Sequence, residues 1–145
     1  MRVLLQRVDR ASVITNGKVI AKIGPGLVIL LGIGHTDGEE QARFLVEKIS
    51  NLRIFEDQDG KFNRSILDVK GEAIVVSQFT LFADARKGRR PSFTEAAPPA
   101  IANPLVDQFA ELLSRQGVPT QKGEFGAHML VEIHNDGPVT IWLEK

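Results

Sequence analysis

The chain has no cysteine and no tyrosine among its 145 residues, and its 18 basic and 18 acidic residues give a net charge of zero. Without cysteine there is no disulfide, no thiolate ligand for zinc or an iron–sulfur cluster, and no thiol nucleophile. Without tyrosine, phenolic acid–base chemistry is excluded as well. A protein that coats long nucleic acid is usually strongly basic, so any contact with nucleic acid must come from a local patch.

Long hydrophobic runs are also missing. The longest, residues 27–31, is too short to cross a bilayer, and no apolar leader follows Met1. Together with the missing cysteine, this favours a cytoplasmic protein with no membrane partner. The hydrophobic fraction of 43% is ordinary for a globular protein, and the length suits one domain over residues 1–145.

Strands dominate the start of the predicted secondary structure. Asn16-Gly17 separates two runs rich in β-branched residues, and this dipeptide is the strongest short hairpin signal. Four strands are predicted before any helix, at residues 3–8, 12–15, 18–23 and 27–31.

Two amphipathic segments predict helices. Apolar residues at helical spacing mark residues 38–50, with Asp37 as the expected N-cap. A second helix is expected to begin near Pro98 and to end at Gly117, and Pro104 either kinks it or marks its true start. Further strands are predicted at residues 52–55, 73–81, 127–133 and 139–143. This order favours a single mixed α/β domain with two main helices and a mainly antiparallel, curled or barrel-like sheet.

A row of polar side chains lies on one face of the strand predicted at residues 127–133 and just beyond it. His128, Glu132 and His134 share that face with Leu130, while Met129, Val131 and Ile133 occupy the other. The row could bind a metal ion, or it could be the solvent-facing side of a strand whose other side enters the core. No third histidine or short ligand motif lies nearby, so the solvent-facing interpretation is favoured and no metal is predicted.

Three other segments could carry chemistry. The residues after a buried run at 73–76, Ser77 to Thr80, could line a pocket with backbone N–H groups that stabilise an oxyanion, or their hydroxyls could simply cap the strand end. Residues 86–91 could contact phosphates or be a solvated surface loop; their four cations are Arg86, Lys87, Arg89 and Arg90. Residues 135–140 could be an ordinary turn or, if the Gly137-Pro138 bond were cis, could point two carbonyls at a ligand.

Two of these segments, residues 77–81 (SQFTL) and 135–140 (NDGPVT), carry a resemblance to the D-aminoacyl-tRNA deacylase family. The resemblance covers essentially the whole chain, including residues 6–8, 52–55, 87–93 and 123–127. Its departures are Phe82, where tyrosine is expected, Phe62, where methionine is common, and Pro104. None of them lies in the two signatures.

The resemblance implies a homodimeric enzyme without a cofactor. Such enzymes hydrolyse the ester between a D-amino acid and the 3′-terminal ribose of tRNA, act also on mischarged glycyl-tRNA, and spare L-aminoacyl-tRNA. The active site would lie at the subunit interface. A cis Gly137-Pro138 bond of one subunit would reach into the pocket of the other, where its carbonyls exclude an L side chain.

The resemblance also suggests roles within the pocket. Ser77, Gln78 and Thr80 would be catalytic, with backbone N–H groups at residues 78–80 stabilising the oxyanion. The backbone of Phe79 would hold the substrate α-amino group, and Met129 would line the same pocket. Thr80 could be a nucleophile, or the substrate's ribose 2′-OH could assist a water; the second is favoured because the signature contains no evident base.

Two alternatives from other classes remain open. The first is a non-catalytic RNA- or nucleotide-binding module of the same fold. The second is a metal-dependent hydrolase that uses His128, Glu132 and His134.

Overall fold

A mixed sheet of six strands forms the centre of the fold, in a computed structural model that describes residues 1–145. The strands follow the order β2-β1-β3-β6-β7, and β8 pairs with β1. β1 is antiparallel to β2, β3 and β8, whereas the pairs β3–β6 and β6–β7 are parallel. The strands are β1 Arg2–Thr15, β2 Lys18–Ile23, β3 Gly26–Gly32, β4 Phe55–Glu56, β5 Phe62–Arg64, β6 Glu72–Ser77, β7 Thr120–Lys122 and β8 Met129–Glu144.

The helices are the crossovers that parallel pairing requires. Helix α1, Glu39–Asn51, lies between β3 and β6, and helix α2, Pro99–Arg115, lies between β6 and β7. The two helices pack against each other and cover one face of the sheet. Neither is long and apolar enough to cross a membrane.

β1 gives the sheet its curl. Its first half pairs with β3 and the end of β8, and its second half pairs with β2 and the start of β8. The register with β8 shifts on both sides of Val8, where the strand bends. The sheet thereby becomes a nearly closed barrel, which confirms the predicted fold class.

The bend divides the apolar residues into two cores. The larger lies between the sheet and the helices and includes Leu5, Ile29 and Phe109, all fully buried. The smaller fills the barrel interior and consists of Val8, Ala11, Val13, Ala21, Ile23, Val28, Ile74 and Val76. Successive side chains of a strand point to opposite faces, so the same strands supply both cores.

Both predicted helices are present, but the predicted cap of the first is wrong. Gly38 is the N-cap of α1, and its N–H donates to the Gln41 side chain at 3.0 Å. The Asp37 carboxylate accepts instead from the Met1 amino group at 2.5 Å and the Gly34 N–H at 2.6 Å. Pro104 lies inside α2 and does not mark its start.

Several predicted strand boundaries are wrong. The strands expected at residues 3–8 and 12–15 are one, β1, and those expected at 127–133 and 139–143 are also one, β8. Of the strand expected at residues 52–55, only Phe55 is paired, as part of the short strand β4 in its hairpin with β5. The strand expected at 73–81 ends at Ser77, and the sequence pattern does not predict β7.

Candidate active site

A pocket of about 650 Å³ opens where β6 ends, between the start of α2 and the start of β8. Eleven of its sixteen lining residues are hydrophobic, as is usual for a site that holds a small ligand group. The predicted site residues Ser77, Gln78, Phe79 and Met129 all line it. The others are Ile33, Val76, Phe93, Ala96, Ala97, Pro99, Ala102, Phe125, Gly126, Ala127, His128 and Val131.

The chain turns sharply at the mouth of this pocket. The Gln78 N–H donates to the Leu31 carbonyl of β3 at 2.8 Å, and residues Phe79–Phe82 then form a 3₁₀ turn. The first N–H groups of such a turn have no acceptor within it, so those of Phe79 and Thr80 are free to bind a ligand. The sequence predicts oxyanion donors at residues 78–80, but the Gln78 N–H is already bound to β3 and is not available to a ligand.

The turn also replaces the extended conformation that the sequence predicts for residues 77–81. Gln78 and Thr80 meet across the turn, where the Gln78 amide donates to Thr80 Oγ1. Phe79 is 55% exposed, and its ring packs edge-on against Phe93 with centroids 5.0 Å apart. Thr80 is beside the pocket but is not one of its lining residues.

Gly137 and Pro138 lie outside this pocket in the same chain. Their peptide bond is cis, and both residues are exposed. Asn135 ties the segment to β1, because its side-chain amide donates to the Arg7 carbonyl at 2.9 Å and also to the Val139 carbonyl at 3.0 Å. A single subunit therefore does not bring residues 137 and 138 together with residues 77–80.

Arg7 supports the same segment from inside the protein. Its side chain is 5% exposed, and its Nε lies 2.9 Å from the Asp136 carboxylate. One terminal nitrogen donates to the Ile54 carbonyl at 2.7 Å, and the guanidinium lies 5.2 Å from the Phe62 ring centroid. Sequence reasoning assigned Arg7 no role, although a charged residue within a strand of buried neighbours is a signal of a buried ion pair.

The basic loop adjoins the pocket wall. A bridge between Asp84 and Ser92 closes it, and Phe93, Ala96 and Ala97 continue from it into the pocket lining. Arg86 forms an ion pair with Asp84 at 2.8 Å. Hydrogen bonding with Arg86 holds the pKa of Asp84 well below its usual range, and the same contact raises the pKa of Arg86.

The other three cations of the loop are differently placed. Lys87, Arg89 and Arg90 are exposed and form none of the ion pairs of the chain. Their charge is therefore available to a polyanion beside the pocket, whereas that of Arg86 is partly compensated.

The polar row, formed by His128 just before β8 and by Glu132 and His134 within it, faces outward, and His128 also borders the pocket. His128, Glu132 and His134 are exposed, while Met129 and Val131 pack toward the barrel interior. Glu132 accepts a hydrogen bond of 2.5 Å from Ser12. No three His, Asp or Glu side chains are grouped so that they could hold a metal ion.

An apolar pocket bordered by free N–H groups and a local basic patch suits a hydrolase of an activated ester carried by a polyanion. Comparisons with known proteins agree. The model of the family described as D-Tyr-tRNA(Tyr) deacylase matches residues 4–144. D-aminoacyl-tRNA deacylases of Thermomicrobium roseum and Heliobacterium modesticaldum are 61% and 57% identical, over 100% and 99% of this chain and 94% and 96% of theirs.

Solved structures share the whole fold. One described as a c-Myc DNA unwinding element binding protein is 44% identical with a TM-score of 0.93, covering 100% of this chain and 99% of its own. A probable eukaryotic D-amino acid tRNA deacylase, at 20% identity and a TM-score of 0.81, covers 98% and 97% and shows the fold alone. The chain belongs to the D-aminoacyl-tRNA deacylase family. It is a hydrolase that acts on the ester bond of D-aminoacyl-tRNA.

Proposed function

We propose that this enzyme removes D-amino acids and glycine from tRNA and spares L-aminoacyl-tRNA, so that it acts as a chiral proofreader in translation. The observation that carries the hydrolytic part of the proposal is the 3₁₀ turn at the pocket mouth, which offers two free N–H groups beside an apolar cavity. The chiral part is supported by the exposed Gly137 and Pro138, which lie outside the pocket of their own chain. Because its substrate is used in translation, we place the enzyme in the cytoplasm.

The test compares one tRNA charged with a D-amino acid, with its L enantiomer and with glycine. We expect release of the D-amino acid and of glycine, and release of the L-amino acid at least about 100-fold more slowly, equivalent to about 2.7 kcal/mol in the barrier. Equal rates for the two enantiomers would overturn the chiral part of the proposal. Binding of charged tRNA without release of amino acid would identify a non-catalytic RNA-binding module.

The free N–H groups of Phe79 and Thr80 stabilise the oxyanion that forms when water attacks the ester carbonyl. The Phe79 backbone also holds the substrate α-amino group, and Met129 and Ser77 close the wall around the aminoacyl group. An aminoacyl ester is already reactive, so positioning and charge stabilisation suffice without a strong acid–base pair.

The substrate's ribose 2′-OH, and not Thr80, assists the attacking water. The side-chain partner of the Thr80 hydroxyl is the Gln78 amide, which is not a base. We expect Thr80→Val to keep kcat within about fivefold of the wild type. A decrease near 10⁴-fold would instead assign Thr80 the role of nucleophile.

The pocket is completed by a second copy of the chain, whose Gly137 and Pro138 carbonyls exclude L side chains. The position of these residues outside their own pocket supports this arrangement. A Cβ on Gly137 would lie 2.9 Å from Val139 Cγ2 and 3.1 Å from an Arg7 nitrogen, so Gly137→Val displaces the segment. Phe79→Pro removes one of the proposed oxyanion donors.

These two variants test the dimeric site by complementation. Circular dichroism should show that each variant is folded, and each variant should be inactive alone. A heterodimer formed after mixing contains one site with both parts intact, so an equimolar, fully exchanged mixture should recover about a quarter of wild-type activity. If mixing restores nothing while heterodimers form, the two segments do not act across subunits.

The basic loop holds the tRNA backbone through phosphates. We expect the combined replacement of Lys87, Arg89 and Arg90 by glutamine to weaken tRNA binding and to reduce the salt slope by about one for each phosphate that is no longer bound. Arg86→Gln should have a smaller effect, because Asp84 already compensates part of that charge. An unchanged slope in the triple variant would remove the loop from the tRNA interface.

A further inference from the structure

Arg2, at the start of β1, reaches across the sheet to the 3₁₀ turn of residues Phe79–Phe82. One terminal nitrogen donates to the Leu81 carbonyl at 3.1 Å, and Nε donates to the Glu144 carboxylate at 2.9 Å. The guanidinium carbon lies 4.4 Å from the Phe82 ring centroid and 5.9 Å from that of Trp142. Arg2 thus contacts both the backbone and a side chain of the turn that carries Phe79 and Thr80.

The turn is seated on β3 beside this arginine. Gly32 pairs with Arg2 in the β1–β3 register. A Cβ on Gly32 would lie 3.1 Å from the Gln78 carbonyl oxygen and 3.2 Å from Phe82 Cδ2, so the turn sits on the bare backbone of β3. The Phe82 side chain is therefore enclosed between β3 and the Arg2 guanidinium, and it is 9% exposed.

The two attachments act at opposite ends of the turn. At its start, the Gln78 N–H is held by the Leu31 carbonyl of β3. At its end, Leu81 and Phe82 are held by Arg2 of β1. The free N–H groups of Phe79 and Thr80 lie between these points, so their direction depends on both.

We propose that Arg2 is a positioning residue that holds the 3₁₀ turn in the orientation that presents the Phe79 and Thr80 N–H groups to the ester. The proposal rests on the proposed function for its kinetic consequence only. A guanidinium is required because two of its nitrogens donate at once, one to the Leu81 carbonyl and one to the Glu144 carboxylate, in a fork-shaped arrangement. Its planar face covers the Phe82 ring at the same time. An ammonium ion lacks that fork and that face.

Three variants separate this role from a general contribution to stability. Arg2→Met removes every polar contact, Arg2→Lys keeps the charge near Glu144 but not the fork, and Glu144→Gln removes the ion pair but keeps the bond to Leu81. We expect Arg2→Met to lower kcat about 10- to 100-fold with KM changed less than about threefold, since small displacements of catalytic groups act on the chemical step. Arg2→Lys should recover less than half of the missing activity, and Glu144→Gln should keep kcat within about twofold.

Hydrogen exchange of the folded variants provides a readout that does not depend on catalysis. We expect Arg2→Met to speed amide exchange in peptides covering residues 79–83 about tenfold and to leave peptides of α1 unchanged, with Glu144→Gln like the wild type. Wild-type kcat in Arg2→Met, an equal decrease in Glu144→Gln, or faster exchange throughout the chain would each overturn the proposal. If the wild-type enzyme releases no amino acid, the proposed function fails and the exchange experiment alone decides the role of Arg2.

Discussion

Replacing Arg7 by methionine tests whether the guanidinium holds the segment that contains Gly137 and Pro138. Methionine keeps much of the apolar stem but removes the charge. The substitution leaves the Ile54 carbonyl without its donor and the Asp136 carboxylate without its cation. Because the Arg7 side chain and Ile54 are both 5% exposed, water cannot easily replace the donor to the Ile54 carbonyl.

The expected cost follows from the individual contacts. The hydrogen bond from the charged donor to the Ile54 carbonyl contributes about 1.5–3 kcal/mol. The Asp136 and Glu56 side chains are 53% and 54% exposed, so solvent screens each ion pair to about 0.2–1 kcal/mol. The Phe62 ring adds about 0.5–1 kcal/mol. Arg7→Met should therefore lower the free energy of unfolding by about 2–6 kcal/mol and Tm by about 8–20 °C.

Urea and thermal unfolding followed by circular dichroism, at one fixed protein concentration, measure this decrease. The matched control is Arg10→Met on the same strand, because Arg10 is 58% exposed and pairs with Asp9 alone. The control should change the free energy of unfolding by less than about 0.5 kcal/mol. A decrease below about 1 kcal/mol in Arg7→Met, or one equal to that of the control, would refute the assignment of Arg7 as the support of this segment.

Two further predictions concern the surroundings of Arg2 and the 3₁₀ turn. Gly32→Ala should lower the free energy of unfolding in urea by about 1–3 kcal/mol and reduce turnover, because the new Cβ displaces the 3₁₀ turn from β3. The control is Gly24→Ala, whose Cβ would lie 3.7 Å from Glu72 Oε2 and which should show neither effect. Hydrogen bonding with Arg2 lowers the pKa of Glu144 from its ordinary value of 4.5, so the stability it adds is complete above that value and disappears as the pH falls through the lowered pKa. The difference in urea midpoint between wild type and Glu144→Gln should thus shrink as the pH is lowered from about 7 to about 3. A difference that does not change with pH would contradict this prediction.

The elements that could be predicted from the sequence are those whose pattern is local. Helix α1 and helix α2 follow from apolar residues at helical spacing, and the hairpin of β1 and β2 follows from Asn16-Gly17 with positive φ at both residues. The exposure of His128, Glu132 and His134 follows from the alternation of exposed and less exposed side chains in a strand that is covered on one face. A pocket at Ser77 to Thr80 could be inferred from the polar residues that follow a buried run. Met129 was placed in the same pocket only through the family resemblance, because a pocket is formed by distant segments.

The errors arise where local pattern and tertiary contact disagree. Residues 77–81 have the composition of a strand, but the Gln78 N–H binds Leu31 and the chain then turns onto Gly32. Asp37 has the chemistry of a helix cap, but the Met1 amino group and the Gly34 N–H occupy its oxygens. Leu31 and Met1 are both far along the chain from the residues they bind, and no local spacing can reveal such partners.

The sequence by itself determined the fold class, both helices and the chemistry available to the enzyme, because composition and periodicity depend only on neighbouring residues. Only the tertiary structure decided which N–H groups at the pocket are free, where Arg7 and Arg2 bind, and that residues 137 and 138 lie away from their own pocket. These properties depend on how β1 bends and pairs with both ends of β8, and that long-range pairing determines which backbone groups are satisfied and which remain available to a ligand.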